Sequence, residues 1–594
     1  MSTTSTPGAS SDSPTSGAGP RDAAPRHAKK SATTTASGAP ADAPTGPLTH
    51  RQIITILVGL MMGMFLAALD QTIVATAIRT IADDLNGLEH QAWATTAYLI
   101  TATIVTPLYG KLGDIYGRKK LFITAITIFI IGSVLCTFAM TMGQLASFRA
   151  VQGLGAGGLF SLALAIVGDI VPPRERAKYQ GYFLAVFGTS SVLGPVIGGF
   201  FAGATSIFGI TGWRWVFLVN VPVAIAALIV VSKTLHLRHT RLDHRIDWPG
   251  AALLSVSLVP LLLVAEQGRE WGWTSGNSIA CYAIGFFAAI GFIVQEMRMG
   301  EEAILPLKMF RNKTVGVSSV ASLIIGIAMF GGLASLPLYL QIVKGASPTE
   351  AGLLLLPLTL GIMVGSIFSG QVISRTGRYR IFPVIGSGLL TIALFTFHFI
   401  AFDTPLWQTM IVMVVFGLGL GFNFQPLTLA VQNAVPPQQI GVATSTATFT
   451  RQMGGTIGTA VFLTVLFSTV PDKITAAFTR FAPTPEFQSA LKDPANAAFA
   501  QQFQSSQGGG SAAASGVLSN SSFLSTLDAR LAKPFLVGFS ESMDLVFLVG
   551  GCVMVFGFLV MLLLPEVELR SGSNYDERGA TAEEPAAEPA AVTG

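Results

Sequence analysis

Fourteen apolar stretches of roughly 17 to 28 residues fill positions 51–564 of this 594-residue chain, and few folds are open to such a polypeptide. They run approximately 53–75, 92–110, 120–139, 144–168, 180–203, 213–232, 248–265, 276–295, 314–341, 350–373, 380–400, 407–430, 441–468 and 542–564. Each can cross a hydrocarbon layer about 30 Å thick as a helix rising 1.5 Å per residue. Only 11% of the residues are charged, where a water-covered surface calls for about a quarter. The expected fold class is an all-α integral membrane protein with fourteen transmembrane helices.

Lysine and arginine orient it. The loops after spans two, four, six, eight and ten hold eighteen of them, whereas the short loops opposite hold four, Arg79, Arg214, Arg269 and Lys344. Basic loops stay in the cytoplasm, so both termini are expected there as well. The tails, 1–50 and 565–594, are too polar or too acidic and alanine-rich to bury a core, and are expected to be disordered. A basic cluster at Arg26, Lys29 and Lys30 offers at most a weak contact to anionic lipid. Segment 469–540 reads as a long external loop with QGGGSAAASG at its centre and short amphipathic helices in its flanks. Cys136, Cys281 and Cys552 all fall within spans and read as small buried hydrophobes, with neither metal-ligand nor disulfide spacing.

The chain repeats itself. GKLGDIYGRK at 110–119 resembles GQVISRTGRY at 370–379, GLGAG at 153–157 resembles GLGLG at 417–421, and VPPRERA at 171–177 resembles VPPQQIG at 435–441. The offsets are 260, 264 and 264, and each copy lies eight spans after the first. Two six-helix halves, 51–232 and 314–564, account for this, with 233–313 a linker holding an inserted helix pair. Paired repeats around a midplane cavity are the build of secondary transporters.

Asp70 is the residue that most demands an explanation. It lies well inside span one, where a charged carboxylate must face water or the bundle interior. It can couple transport to protons, complete a buried structural pair, or bind a cationic substrate. Spans one and four run in opposite directions, which brings Arg149 to the depth of Asp70, and Gln152 shares the face of Arg149 one turn on. The repeat places Met413 where Arg149 would recur, so only the first half carries this set. Gly110, Asp114, Gly117 and Arg118 form a turn in which the acid can cap a helix N-terminus, an inner latch; Ser374 replaces that acid in the second copy. The turn lacks the spacing of a phosphate-binding loop, and no nucleotide site is expected. Gly194, Pro195, Gly198 and Gly199 in span five permit close helix approach and a bend, serving either packing or gating. Asn423, Gln425 and Arg451 either line a substrate cavity or bond across helices.

Taken together, GKLGDIYGRKK, LDQTIVATAI in span one, RAVQGLGAGG in span four, GPVIGG in span five and GWRWVFLVNVP at 212–222 resemble the major facilitator superfamily. Within it they are most similar to the fourteen-helix drug:proton antiporters of the EmrB and QacA type. The resemblance implies two six-helix halves plus the inserted pair in a bacterial inner or plasma membrane, exporting amphipathic and often cationic compounds against protons by alternating access. It implies that Asp70 is the coupling carboxylate, Arg149 part of the relay, Asp114 and Arg118 a cytoplasmic gate, and Pro195 the mark of an antiporter. Ser190 stands where the family's fifth-span pattern usually has glycine.

A dedicated exporter of a lipid, peptide or metabolite is the second reading. The expected partners are protons, a small amphipathic or lipid-like substrate and membrane lipid, with no nucleic acid, no cofactor and no metal; a monomer suffices. The spans hold no cluster of nucleophiles, bases or metal ligands of the kind a membrane enzyme needs.

Overall fold

A computed structural model describes residues 49–86, 91–235, 246–300, 302–505 and 527–569. The expectations for both tails and for the glycine-rich centre of the long loop fall outside these residues. Lipid offers the backbone no hydrogen-bond partner, so each apolar stretch satisfies its own N–H and C=O groups by coiling. Among the described residues the long helices are α1 His50–Asp84, α2 Gln91–Tyr116, α3 Arg118–Thr137, α4 Met142–Ile170, α5 Pro173–Gly203, α6 Asn220–Thr234 and α7 Trp248–Trp271. They continue with α8 Gly276–Met299, α9 Lys313–Leu338, α10 Leu356–Thr376, α11 Ile381–His398, α12 Leu406–Asn433, α13 Ile440–Phe481 and α14 Ala529–Leu562.

Among the described residues thirteen segments are long and apolar enough to cross a membrane, and α2, long enough at 26 residues but less apolar, supplies the fourteenth predicted span. The reason is its position. It packs on α4 and α13 and lines the centre of the molecule rather than lipid, so threonines and tyrosines are tolerated along it.

In the first half α2 and α3 pack on α4, and α5 and α6 on α1, around Leu60, Phe122, Phe129 and Leu159. In the second, α9 packs on α13, α10 on α12 and α11 on α14, around Phe416, Leu420, Phe462 and Phe547. The halves meet chiefly along α2 with α13 and α5 with α10. The inserted pair α7–α8 lies beside that first seam. Leu254, Leu258 and Leu262 of α7 share a core with Ile100 of α2 and Phe449 of α13. Phe286 and Phe287 of α8 face outward, as suits lipid contact.

Two boundaries differ from expectation. α13 continues unbroken to Phe481 and α14 begins at Ala529, so the ends of the expected loop 469–540 are extensions of its flanking helices. Short helices at Pro485–Leu491 and Ala497–Ser505 then fold onto those extensions through Phe478, Phe487, Phe503 and Phe535. Burying this aromatic cluster rewards keeping the helices long. Of the three cysteines only Cys136 is buried; Cys552 is exposed on the helix surface, where lipid makes an apolar thiol acceptable.

Candidate functional site

α1 and α4 carry Asp70 and Arg149 into contact, with the two side chains 0% and 1% exposed. Arg149 Nη1 donates to Asp70 Oδ2 and to Gln152 Oε1 (2.7 Å), and its Nε donates to the Ala94 carbonyl (3.2 Å). Gln152 Nε2 donates to Asp70 Oδ1 (2.9 Å) and to Ser133 Oγ (3.1 Å). The predicted trio is therefore a single network. It has a fourth member that the sequence reading does not single out: Asn220 at the start of α6 donates from Nδ2 to Asp70 Oδ1 at 2.8 Å. Asn220 belongs to the GWRWVFLVNVP motif, and an amide inside an apolar span was the available signal. Tyr98 closes the set from α2, its ring 4.1 Å from the Arg149 guanidinium. Three side-chain donors converge on one carboxylate.

Close packing holds the network in place. A methyl group at Gly157 would collide with the Ala102 carbonyl and one at Gly153 with the Tyr98 carbonyl, so α4 can reach α2 only through glycine at these positions. On the other side Gly194 and Gly198 of α5 lie against Thr72, Ile73 and Thr76 of α1, immediately after Asp70. Thr72 Oγ1 donates to the Ser190 carbonyl (3.0 Å), tying α1 to α5 at the position where serine replaces glycine. Pro195 lies in van der Waals reach of Gly352 in the second half. Gly199 takes no part in this, because no atom lies within 4 Å of where its side chain would point.

The glycine-rich turn makes a second cluster on the face of the basic loops. Asp114 Oδ2 accepts the Val442 backbone N–H at 3.0 Å, in the first turn of α13, whose own N-cap residue, Gln439, supplies no side-chain bond. An acid of one half thus caps a helix of the other. Arg118 pairs with Asp114 (2.9 Å) and also with Asp169 at the end of α4 (3.0 Å). Asp169 was not distinguishable in the sequence from an ordinary helix-end charge. Gly117 has φ +92°, a conformation that favours glycine, which turns the chain from α2 into α3. Gly110 lets Ser445 of α13 pack against α2. Gln432 Nε2 adds another bond between the halves, to the Leu164 carbonyl (3.1 Å). Asp114 lies beyond the second predicted span, and burial pushes its carboxyl up to about 6. In the repeat, Ser374 bonds among the described residues only within its own helix, to the Gln371 carbonyl (2.8 Å).

Between the halves is a cavity walled by α1, α2, α4 and α5 on one side and α9, α12 and α13 on the other. Arg451 and Gln425 line it, together with Gln71, Thr428 and Gln452. Asn423 does not. It faces α11, against Gly386, and donates to the Gly419 carbonyl (2.7 Å). Two residues along a helix turn the side chain by about 200°, so Asn423 and Gln425 cannot share a face, and of the candidates for the cavity Asn423 is the one placed away from it.

The sequence profile of the Major Facilitator Superfamily matches residues 60–459. "Multidrug resistance protein 3" of Bacillus subtilis is 35% identical over 425 residues, which cover 71% of this chain and 81% of that protein. "Multidrug transporter protein MdtP" of the same organism is 35% identical over 406 residues, covering 68% and 73%. An "Uncharacterized MFS-type transporter" of Mycobacterium tuberculosis is 36% identical over 541 residues, covering 89% of this chain and 73% of that one. Among solved structures, the proton:xylose symporter XylE superposes with a TM-score of 0.56 over 89% of this chain and 99% of its own, at 14% identity, a likeness of fold. On this evidence the chain is a multi-pass membrane transporter and belongs to the Major Facilitator Superfamily.

Proposed function

We propose that this transporter is a proton-coupled exporter of the fourteen-helix drug:proton antiporter type, working by alternating access in the cell membrane with both termini in the cytoplasm. The observation that carries the reading is Asp70, a carboxylate buried at span depth and held by Arg149, Gln152 and Asn220. Its counterpart region in the second half has the apolar, buried Met413 where Arg149 would recur. A buried charge held this way is costly to keep merely for stability, and it lies one residue from cavity-lining Gln71. In the cycle, Asp70 takes a proton and releases Arg149 in one state, then re-forms the pair in the other. Gly194, Pro195 and Gly198 let α5 move closely against α1 without opening a path for protons. Asp114 and Arg118 latch the cytoplasmic face. Cargo passes through the central cavity, and its class is hydrophobic, amphipathic or cationic. Protons, that cargo and the surrounding lipid are the only partners the cycle needs, and one chain is enough.

The names of the Bacillus subtilis relatives support export of drug-like compounds. A dedicated exporter of a lipid, peptide or metabolite is favoured by one observation, the sign of the charge in the cavity, where the charged lining side chain among the described residues is Arg451. The test of the coupling is transport into proteoliposomes under an imposed pH gradient, with ethidium and a panel of lipophilic compounds. Wild type should move at least one of them with matching proton flux, and Asp70→Asn should not. Undiminished gradient-driven transport in Asp70→Asn would remove the basis of the proposal.

A further inference from the structure

The central cavity has a charge of one sign only. Among the described residues that line it there is no Asp, Glu, Lys or His, and the single charged side chain is Arg451. Arg451 sits on α13, with its guanidinium 4.8 Å from the centre of the Phe424 ring. Among the described residues it has neither an ion pair nor a side-chain hydrogen bond; an arginine at this depth ordinarily pairs with an acid or a carbonyl. The aromatic face offsets only part of its desolvation. Gln425 lines the same cavity and is 3% exposed, and neither its Oε1 nor its Nε2 has a partner. A buried amide with both ends unmet is rare enough to need a reason. Neighbouring Gln452 is, by contrast, engaged, accepting from Thr106 of α2 at 3.2 Å. Phe160, Phe183, Phe187, Phe330, Met64 and Met329 supply the rest of the wall, an apolar surface with adaptable thioethers.

We infer that this cavity takes an amphipathic organic acid, with its carboxylate on Arg451 and Gln425 and its apolar body among the phenylalanines. A planar guanidinium matches a carboxylate with two parallel N–H donors, and the unmet Gln425 amide N–H in the same cavity is a further donor for it. One arginine balances one negative charge, which selects a carboxylate over a dianionic phosphate. A cationic head would instead be placed beside Arg451 with no acid to receive it. The inference rests on the export reading and narrows its substrate class.

The experiment is equilibrium binding in lipid nanodiscs, with empty nanodiscs as blank, at alkaline pH and with no gradient. A fluorescent undecanoic acid carrying a dansyl group is the reporter. Decanoate, methyl decanoate and decyltrimethylammonium, which share one apolar tail, compete for it. Decanoate should displace the reporter at least about ten-fold better than the ester or the ammonium, the scale of one charge-assisted contact. Arg451→Gln should erase that preference, Arg451→Lys should keep most of it, and Gln425→Leu should weaken it. The headgroup series on wild type alone decides the matter should a variant fail to fold. Equal displacement by all three, or preference for the ammonium, overturns the acid assignment. Failure of the exporter reading would register separately, as absence of gradient-driven flux for every compound in proteoliposomes.

Discussion

At the scale of single residues the network around Asp70 sets the energetics. Replacing Asp70 by Asn keeps the shape but leaves Arg149 buried with no counter-charge, at a cost of about 3–5 kcal/mol. Neutralising both, Asp70→Asn with Arg149→Gln, should recover part of that loss, because the orphaned charge is gone. Denaturation of the four proteins in detergent measures the coupling; purely additive losses would show that the pair is not one unit. Asn220→Leu removes a donor to a charged oxygen and should cost about 1.5–3 kcal/mol, with slower proton-linked transport at unchanged expression. An Asn220→Leu protein that matches wild type in both would place Asn220 outside the relay. The sequence exposes Asp70 and Arg149 because charge inside a span is expensive and draws attention wherever it occurs, and Gln152 because it lies one helical turn from Arg149. It conceals Asn220 because a neutral amide is an ordinary helix-packing residue. It also conceals which of Asn423 and Gln425 meets the cavity, since facing depends on how α12 is rotated against α11 and α13, a property of packing rather than of the span itself.

At the scale of elements the joint between the halves is the part that opens in the proposed cycle. Asp114 caps α13 from α2 across that joint, and burial raises its carboxyl from 3.8 to about 6. In a latch that has opened to water the same group returns toward its ordinary value. The closed latch therefore binds more protons between those two values, and linkage favours it as pH falls through about 6 on that face. Above that pH the stabilisation is lost, because the ionised carboxylate is better solvated when open. Cysteine-labelling of Ser445→Cys, which packs against Gly110 beneath the latch, reports opening. Labelling relative to that of a freely exposed thiol at the same pH should be slower near pH 5 than near pH 7.5, and Asp114→Asn should flatten that ratio. Labelling that rises as pH falls would reverse the assignment. The helices themselves were legible from hydropathy because lipid demands it. α2 is the instructive case, a span that fails the hydropathy threshold because protein rather than lipid surrounds it. The extension of α13 to Phe481 was not legible, because it depends on an aromatic cluster assembled from distant segments.

At the scale of the whole molecule, the sign of the cavity charge and the coupling proposed for Asp70 together determine how much charge would cross the membrane per cycle. If one proton enters through Asp70 as one monovalent cation leaves, no net charge moves, and only the pH gradient can drive transport. If one proton enters as a carboxylate leaves past Arg451, two positive-charge equivalents move inward. Each is worth about 2.3 kcal/mol per 100 mV, so an inside-negative potential of that size supplies roughly 4.6 kcal/mol to the acid cycle and nothing to the cation cycle. A potassium diffusion gradient set with valinomycin at equal pH on both sides isolates this term. Decanoate transport by wild type should accelerate with the potential in the direction that carries positive charge toward the cytoplasmic face. Arg451→Gln should slow it by weakening binding while leaving its dependence on voltage intact, because the cargo still carries its charge. Decanoate transport with half this dependence on the potential, one charge per cycle, would mean that the acid leaves protonated and that Arg451 has no anion to meet; transport that ignores the potential would mean in addition that no proton enters with it.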